Sequence, residues 1–165
     1  MLDIKNTKIS LDTLIENKNK SEETIKRARN ADLLILPDVS KIADNQEVFQ
    51  PDTVSFYKYA KHNLENYNIE IFENKGEEKF LSLRSFDIWL PTIYICENVL
   101  IPFVIGLASS YIYNRLEGRC LNKSNVHFNL IVNNKDKSKS ISYDGPAETF
   151  EKQFNKIDIN ELWKE

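Results

Sequence analysis

The feature that most constrains this chain is residues 88–113, a stretch in which Glu97 is the only charged residue. A stretch of this length is enough to cross a bilayer, which needs about 20 apolar residues. Pro91 and Pro102 interrupt it, however, and the Glu97 carboxylate within it would be costly in lipid. We therefore predict a buried, apolar central helix over residues 98–116, and keep as an alternative a membrane-associated protein that uses residues 88–113.

The segments around this stretch alternate between helical patterns and short apolar strands. Residues 33–36 are apolar throughout, which is typical of a strand covered on both faces. In residues 126–132 apolar side chains alternate with His127 and Asn129, which we expect on the more exposed face. This order predicts an α/β fold: a small layered domain, residues 1–165, with a short, partly parallel sheet, an antiparallel hairpin (about 126–143) and the central helix.

Composition excludes several classes of protein. The chain has 165 residues, 41% of them hydrophobic, so it can bury a core without disulfides or metals. Two cysteines, Cys96 and Cys120, cannot make a secreted disulfide framework, and no signal-peptide pattern follows Met1, so we expect a cytoplasmic protein. The bias towards Asn, Lys and Ile fits an AT-rich bacterial or phage gene. Glycine-rich nucleotide-binding loops and the usual metal-ligand spacings are absent, so we predict no cofactor and no metal site.

The charge pattern points away from nucleic acid. The formal net charge is −3, which gives no electrostatic attraction for phosphate backbones. Residues 98–139 nevertheless hold six basic and two acidic residues. Among these, Arg115, Arg119 and Lys123 form a candidate site for a small anionic partner, although solvated loop charge is the simpler explanation.

A pattern of two carboxylates and a lysine follows two of the apolar strands. Pro37-Asp38 comes after the first, and Glu73-Asn74-Lys75 ends the second. The arrangement resembles the signature of the PD-(D/E)xK nucleases. That resemblance implies that Asp38 and Glu73 hold a divalent metal such as Mg²⁺ and that Lys75 stabilises the attacking hydroxide or the transition state. Turn chemistry accounts for the same residues without any catalytic role.

Aromatic residues favour another function. Phe56 and Tyr59 fall off the helix face that Val54, Tyr57 and Leu64 define, and Tyr111 and Tyr113 end the central helix. If exposed, Phe56, Tyr59, Tyr111 and Tyr113 would form the kind of surface that is enriched at protein interfaces. We therefore predict a non-catalytic interaction or assembly module that binds a protein partner or itself, as an oligomer or a subunit of a larger complex. A metal-dependent nuclease or other phosphodiester enzyme is the alternative.

Overall fold

The computed structural model describes residues 2–17, 19–40, 46–82, 87–96, 100–117, 124–134 and 137–163, and these adopt the α/β fold that the sequence predicts. The strands are β1 (Leu2–Thr7), β2 (Leu33–Leu36), β3 (Asp38–Ser40), β4 (Gln46–Val48), β5 (Ile69–Ile71), β6 (Ile88–Ile95), β7 (Asn125–Asn134) and β8 (Lys137–Pro146). The helices are α1 (Leu11–Asn17), α2 (Glu22–Arg29), α3 (Thr53–Asn63), α4 (Ile101–Arg115), α5 (Phe150–Phe154) and α6 (Ile159–Leu162), with a 3₁₀ turn at Ala147–Thr149 before α5.

The main sheet is mixed and has six strands in the order β1-β8-β7-β6-β2-β5. The pairs β6–β7 and β2–β5 are parallel, and the other neighbours are antiparallel. The predicted hairpin is confirmed as β7 and β8, and β3 pairs with β4 in a separate ribbon. Helix α4 connects the parallel strands β6 and β7, as a crossover between parallel strands requires.

Two helical layers lie on opposite faces of this sheet. The first face packs against α3, α4 and α5, and the second face packs in part against α1 and α2. Strand β2 is buried on both faces, because Leu33 and Ile35 point into the first core while Leu34 and Leu36 point into the second. The prediction of a strand covered on both sides is thus confirmed.

Helix α4 confirms that a central helix is present, but the prediction that this helix is buried holds for one side only, the side that covers the first face of the sheet. Ile101, Val104 and Ala108 are fully buried on its inner side. On the opposite side Phe103 is 53% exposed and Tyr113 67% exposed. Residues 98 and 99, at the start of the predicted helix, lie outside the described ranges. None of the helices in the described ranges has the length and apolarity needed to cross a membrane.

The predicted inward face of α3 is wrong. Phe56, expected to point outward, is 1% exposed, whereas Val54, expected to point inward, is 40% exposed. The helix turns Thr53, Phe56 and Ala60 towards the sheet and α4, because the Phe56 ring packs edge-on against Tyr111 with ring centroids 5.4 Å apart. Periodicity identified the helix but not the side that meets the core.

Candidate functional site

Glu73 of the nuclease-like pattern belongs to a nearly buried ion pair. Its Oε1 lies 2.8 Å from Nζ of Lys20, and the two side chains are 10% and 6% exposed. Arg27 also donates a hydrogen bond to the Glu73 carbonyl oxygen at 2.9 Å. The Glu73 carboxylate therefore holds the segment before α2 against the end of β5.

Asp38 and Lys75 have different surroundings from Glu73. The Asp38 carboxylate accepts hydrogen bonds from Thr92 Oγ1 at 2.9 Å and Gln50 Nε2 at 2.7 Å. Lys75 is 72% exposed, with its Nζ 3.7 Å from Glu23. Asp38 and Glu73 line different cavities, and the described residues contain no group of three or more His, Cys, Asp or Glu side chains placed to hold a metal ion.

The four predicted interface aromatics are divided between core and surface. Phe56 and Tyr111 are buried, so the expectation that they form a surface is wrong. Tyr59 is half-buried, with its ring centroid 5.7 Å from that of Tyr111. Tyr113 alone of the four is largely exposed, at 67%.

Tyr111 is buried because it completes a polar network around Asp52, a carboxylate only 4% exposed. The Tyr111 hydroxyl donates to Asp52 Oδ1 at 2.9 Å, and the backbone N–H of Trp89 donates to Oδ2 at 2.8 Å. Burial and the negative charge of Asp52 raise the pKa of Tyr111 well above its usual range. This network joins α3, α4 and β6.

The candidate anion-binding residues are only partly described. Arg115 Nε lies 3.4 Å from Asp52 Oδ1, and the Arg115 side chain is 27% exposed. Its guanidinium therefore neutralises an internal carboxylate. Arg119 and Lys123 lie outside the described residues.

The outer side of α4 is a candidate interaction surface. Phe103, Gly106, Ser110 and Tyr113 are exposed and lie within about 80° of one another around the helix axis, at 3.6 residues per turn. We call these four residues the α4 stripe. It contains no charged side chain, and a Cβ added to Gly106 would meet no atom within 4 Å. A second helix could therefore approach α4 closely at this glycine.

A groove borders the α4 stripe on the side of α5. One cavity of ≈ 200 Å³ is lined by Pro102, Gly106 and Ser109 of α4 and by Phe154 of α5, among other residues. A second cavity, of ≈ 120 Å³, continues past Ser109 to Tyr113. The Ser109 hydroxyl is buried and has no hydrogen-bond partner within the described part of the chain. The first cavity is mostly apolar, and Glu151 of α5 lines both cavities.

The second face of the sheet has an open polar groove of ≈ 310 Å³, which the sequence did not predict as a site. Helices α1 and α2 cover this face over Leu34, Tyr94 and Ile131, and leave the other part open. The open part, here called the polar groove, is lined by Lys5, Asp38, Gln50, Trp89, Leu90, Thr92, His127, Phe128, Asn129, Ser140, Ser142 and Asp144.

His127 is fixed at one end of the polar groove. Its Nδ1 lies 2.5 Å from Asp144 Oδ1, and its Nε2 lies 3.5 Å from Asp87 Oδ2. The imidazole stacks on the Trp89 indole, with ring centroids 3.5 Å apart and an interplanar angle of 11°. The exposed face predicted for His127 is therefore correct, and two carboxylates and an aromatic ring determine the orientation of its ring.

A bulge in β6 explains why the sequence could not predict this groove. Trp89 pairs with His127 and Thr92 pairs with Asn129, so two residues of β6 between these pairs oppose a single residue of β7. Strict alternation would place Trp89 and Thr92 on opposite faces, whereas both line the polar groove. The exposed face of His127 in the β7 pattern was the one available signal.

Comparison of the chain with known protein families, with characterised proteins and with solved structures finds no match. The function is therefore inferred from the geometry of this chain.

Proposed function

We propose that this protein is an interaction and assembly module that pairs with a second copy of itself through the α4 stripe. The observation that carries this proposal is the exposure of Phe103 and Tyr113, at 53% and 67% the most exposed large hydrophobic side chains among the described residues. Both lie on one uncharged strip of one helix. Exposed aromatic side chains are enriched at protein interfaces.

The energetics favour covering this stripe. Burying an aromatic or aliphatic side chain fully contributes about 1.5–3 kcal/mol. Burying Phe103 or Tyr113 in an interface would recover a large part of this free energy, because at least half of each residue is accessible to solvent. Gly106 and Ser110 have small side chains, so the backbones of two α4 helices can approach closely there. Close approach increases the van der Waals contact between the helices.

The residue order of the α4 stripe fits self-association. Phe103 and Tyr113 lie five residues on either side of Ala108, and Gly106 and Ser110 lie two residues on either side of it. In an antiparallel pair of α4 helices, Phe103 would face Tyr113 of the second copy, and Gly106 would face Ser110. A two-fold interface requires this kind of self-complementarity. Antiparallel helix dipoles also place opposite partial charges next to each other.

Sedimentation velocity and light scattering test the proposal. The unmodified protein should be a dimer at high micromolar concentration, and Phe103→Asp or Gly106→Leu should shift it to monomer. The Gly106→Leu side chain meets open space in the single chain, so the variant should keep its fold. Val54→Asp, at a 40% exposed apolar position on α3, is the matched control and should leave the dimer intact.

A monomer under all these conditions, or a dimer that Phe103→Asp and Gly106→Leu leave unchanged, would overturn the proposal. Phe56→Asp is not a suitable probe, because Phe56 is in the core and the variant would unfold.

The geometry supports the nuclease alternative less well. That mechanism needs Asp38 and Glu73 around one metal ion with Lys75 beside it. Glu73 instead pairs with Lys20, and Lys75 is 72% exposed beside Glu23. Mg²⁺-dependent cleavage that is lost in Asp38→Ala would revive it.

A further inference from the structure

Asp38 is the carboxylate of the polar groove whose charge has no cationic partner within the described part of the chain. It is half-buried, and its hydrogen bonds come from the neutral groups of Thr92 and Gln50. Each carboxylate oxygen has used one acceptor position and can accept another hydrogen bond. Thr92 is only 5% exposed, so water screens this side of the carboxylate weakly.

The other charged groups of the groove are paired locally. Lys5 Nζ lies 3.1 Å from Asp3 Oδ2. His127 lies between Asp144 and Asp87, as described above. A cationic ligand that enters the groove therefore meets two carboxylates. Asp144 is 72% exposed, so water screens its charge, whereas Asp38 is half-buried and is the stronger counter-ion.

We propose that the polar groove binds a small cationic ligand, an alkylammonium or alkylguanidinium group, with the Asp38 carboxylate as its counter-ion. The groove volume of ≈ 310 Å³ matches a small molecule or a single side chain, at the lower end of ligand sites. The Trp89 side chain supplies apolar surface for an alkyl stem. Hydrogen bonds between a cation and a carboxylate are about twice as strong as neutral ones, which favours this class over uncharged polyols.

The groove floor offers further hydrogen-bond groups for such a ligand. Ser140 Oγ donates to Asn129 Oδ1 at 2.7 Å. The Ser140 hydroxyl oxygen and the second lone pair of Asn129 Oδ1 can each accept a hydrogen bond from an N–H group of a cation. Ser142 lies beside Asn129 in the pairing of β7 and β8. These neutral groups can orient the polar end of a ligand without competing for its charge.

A titration with matched probes tests the proposal. Butylguanidinium, butylammonium and the uncharged butylurea are added to the full-length protein, and binding is followed through the indole N–H resonance of Trp89. The two cations should bind at least about tenfold more tightly than butylurea, and Asp38→Asn should weaken their binding by about tenfold or more. Asp12→Asn, the same change at a carboxylate 80% exposed on α1, should leave binding within about twofold.

A second variant keeps the test decisive if Asp38→Asn does not fold. Ser142→Lys places a positive charge on the open floor of the groove, and it should also remove cation binding. Equal binding of butylurea and butylguanidinium, binding that survives both variants, or a Trp89 resonance that none of the probes shifts would overturn the proposal. None of these outcomes depends on whether the chain dimerises through the α4 stripe.

Discussion

Single residues of the same type have different environments in this protein, and the sequence distinguishes them poorly. Phe56 is 1% exposed and Phe103 53% exposed, although both lie on helices with many apolar neighbours. The difference arises because the sheet and a neighbouring helix cover one side of each helix. Which side is covered depends on the packing of distant segments, so residue spacing alone predicted the α3 face incorrectly.

Tyr111 gives a residue-scale prediction about pH. Burial and the charge of Asp52 raise the pKa of Tyr111 in the folded protein, whereas an unfolded tyrosine ionises near 10. Above that pH the folded state retains a proton that the unfolded state has lost. The free energy of unfolding should therefore be constant, as far as this group is concerned, below about pH 9 and fall as the pH rises past 10.

Urea unfolding at a series of pH values from about 8 to 11 measures this effect. Tyr111→Phe should reduce the alkaline loss of stability. It should also lower stability by about 1–2 kcal/mol at neutral pH, because buried Asp52 loses a donor. Burial also raises the pKa of Tyr94, so part of the alkaline loss of stability should remain in the Tyr111→Phe variant. Tyr113→Phe, at an exposed hydroxyl, is the control, and an alkaline slope that Tyr111→Phe leaves unchanged would contradict the assignment.

The elements of the fold were more predictable than the contacts between them. Helix α4 and the β7–β8 hairpin follow from the apolar stretch and the alternating pattern, since each pattern reports local burial. Strand β1 was missed, because it is exposed over most of its length and is defined by its pairing with β8, from Leu2↔Tyr143 to Thr7↔Ser138. The polar groove was missed for a related reason, because a bulge and six separate segments create it.

The pair of Lys20 and Glu73 gives an element-scale prediction. It joins the segment before α2 to the end of β5 and is almost fully removed from water. Lys20→Met should lower the free energy of unfolding by about 3 kcal/mol, because it leaves the buried Glu73 carboxylate without its cation. Glu73→Gln should cost less, because Lys20 keeps a second carboxylate, Glu47, at 3.8 Å. The double variant should lose less than the sum of the two.

Chemical denaturation of the single and double variants measures this coupling. Lys75→Gln is the control. The side chains of Lys75 and its partner Glu23 are 72% and 69% exposed, so this variant should change the free energy of unfolding by less than about 0.5 kcal/mol. Unchanged stability in Glu73→Gln would mean that the carboxylate has no structural role, which would favour a ligand-binding role instead.

At the scale of the whole molecule, one sheet is shared by two apolar cores. The net charge and the hydrophobic content limit the size and class of the fold, but they do not determine the order of the strands in the sheet. That order depends on which strand edges meet after both helical layers have formed. Because β2 sends Leu33 into one core and Leu34 into the other, neither core can lose its packing without disturbing the strand that both use.

This shared strand predicts that the two cores unfold together. Leu33→Ala and Leu34→Ala change adjacent residues that face opposite layers, and each should cost about 2–5 kcal/mol. Trp89 reports on the second face and Trp163 on the first core, so variants with a single tryptophan separate the two signals. Both fluorescence transitions and the far-UV circular dichroism should shift to the same lower midpoint in either variant. If Leu34→Ala moved only the Trp89 transition, the second layer would be a separate folding unit, and the cooperative single domain predicted for residues 1–165 would be wrong.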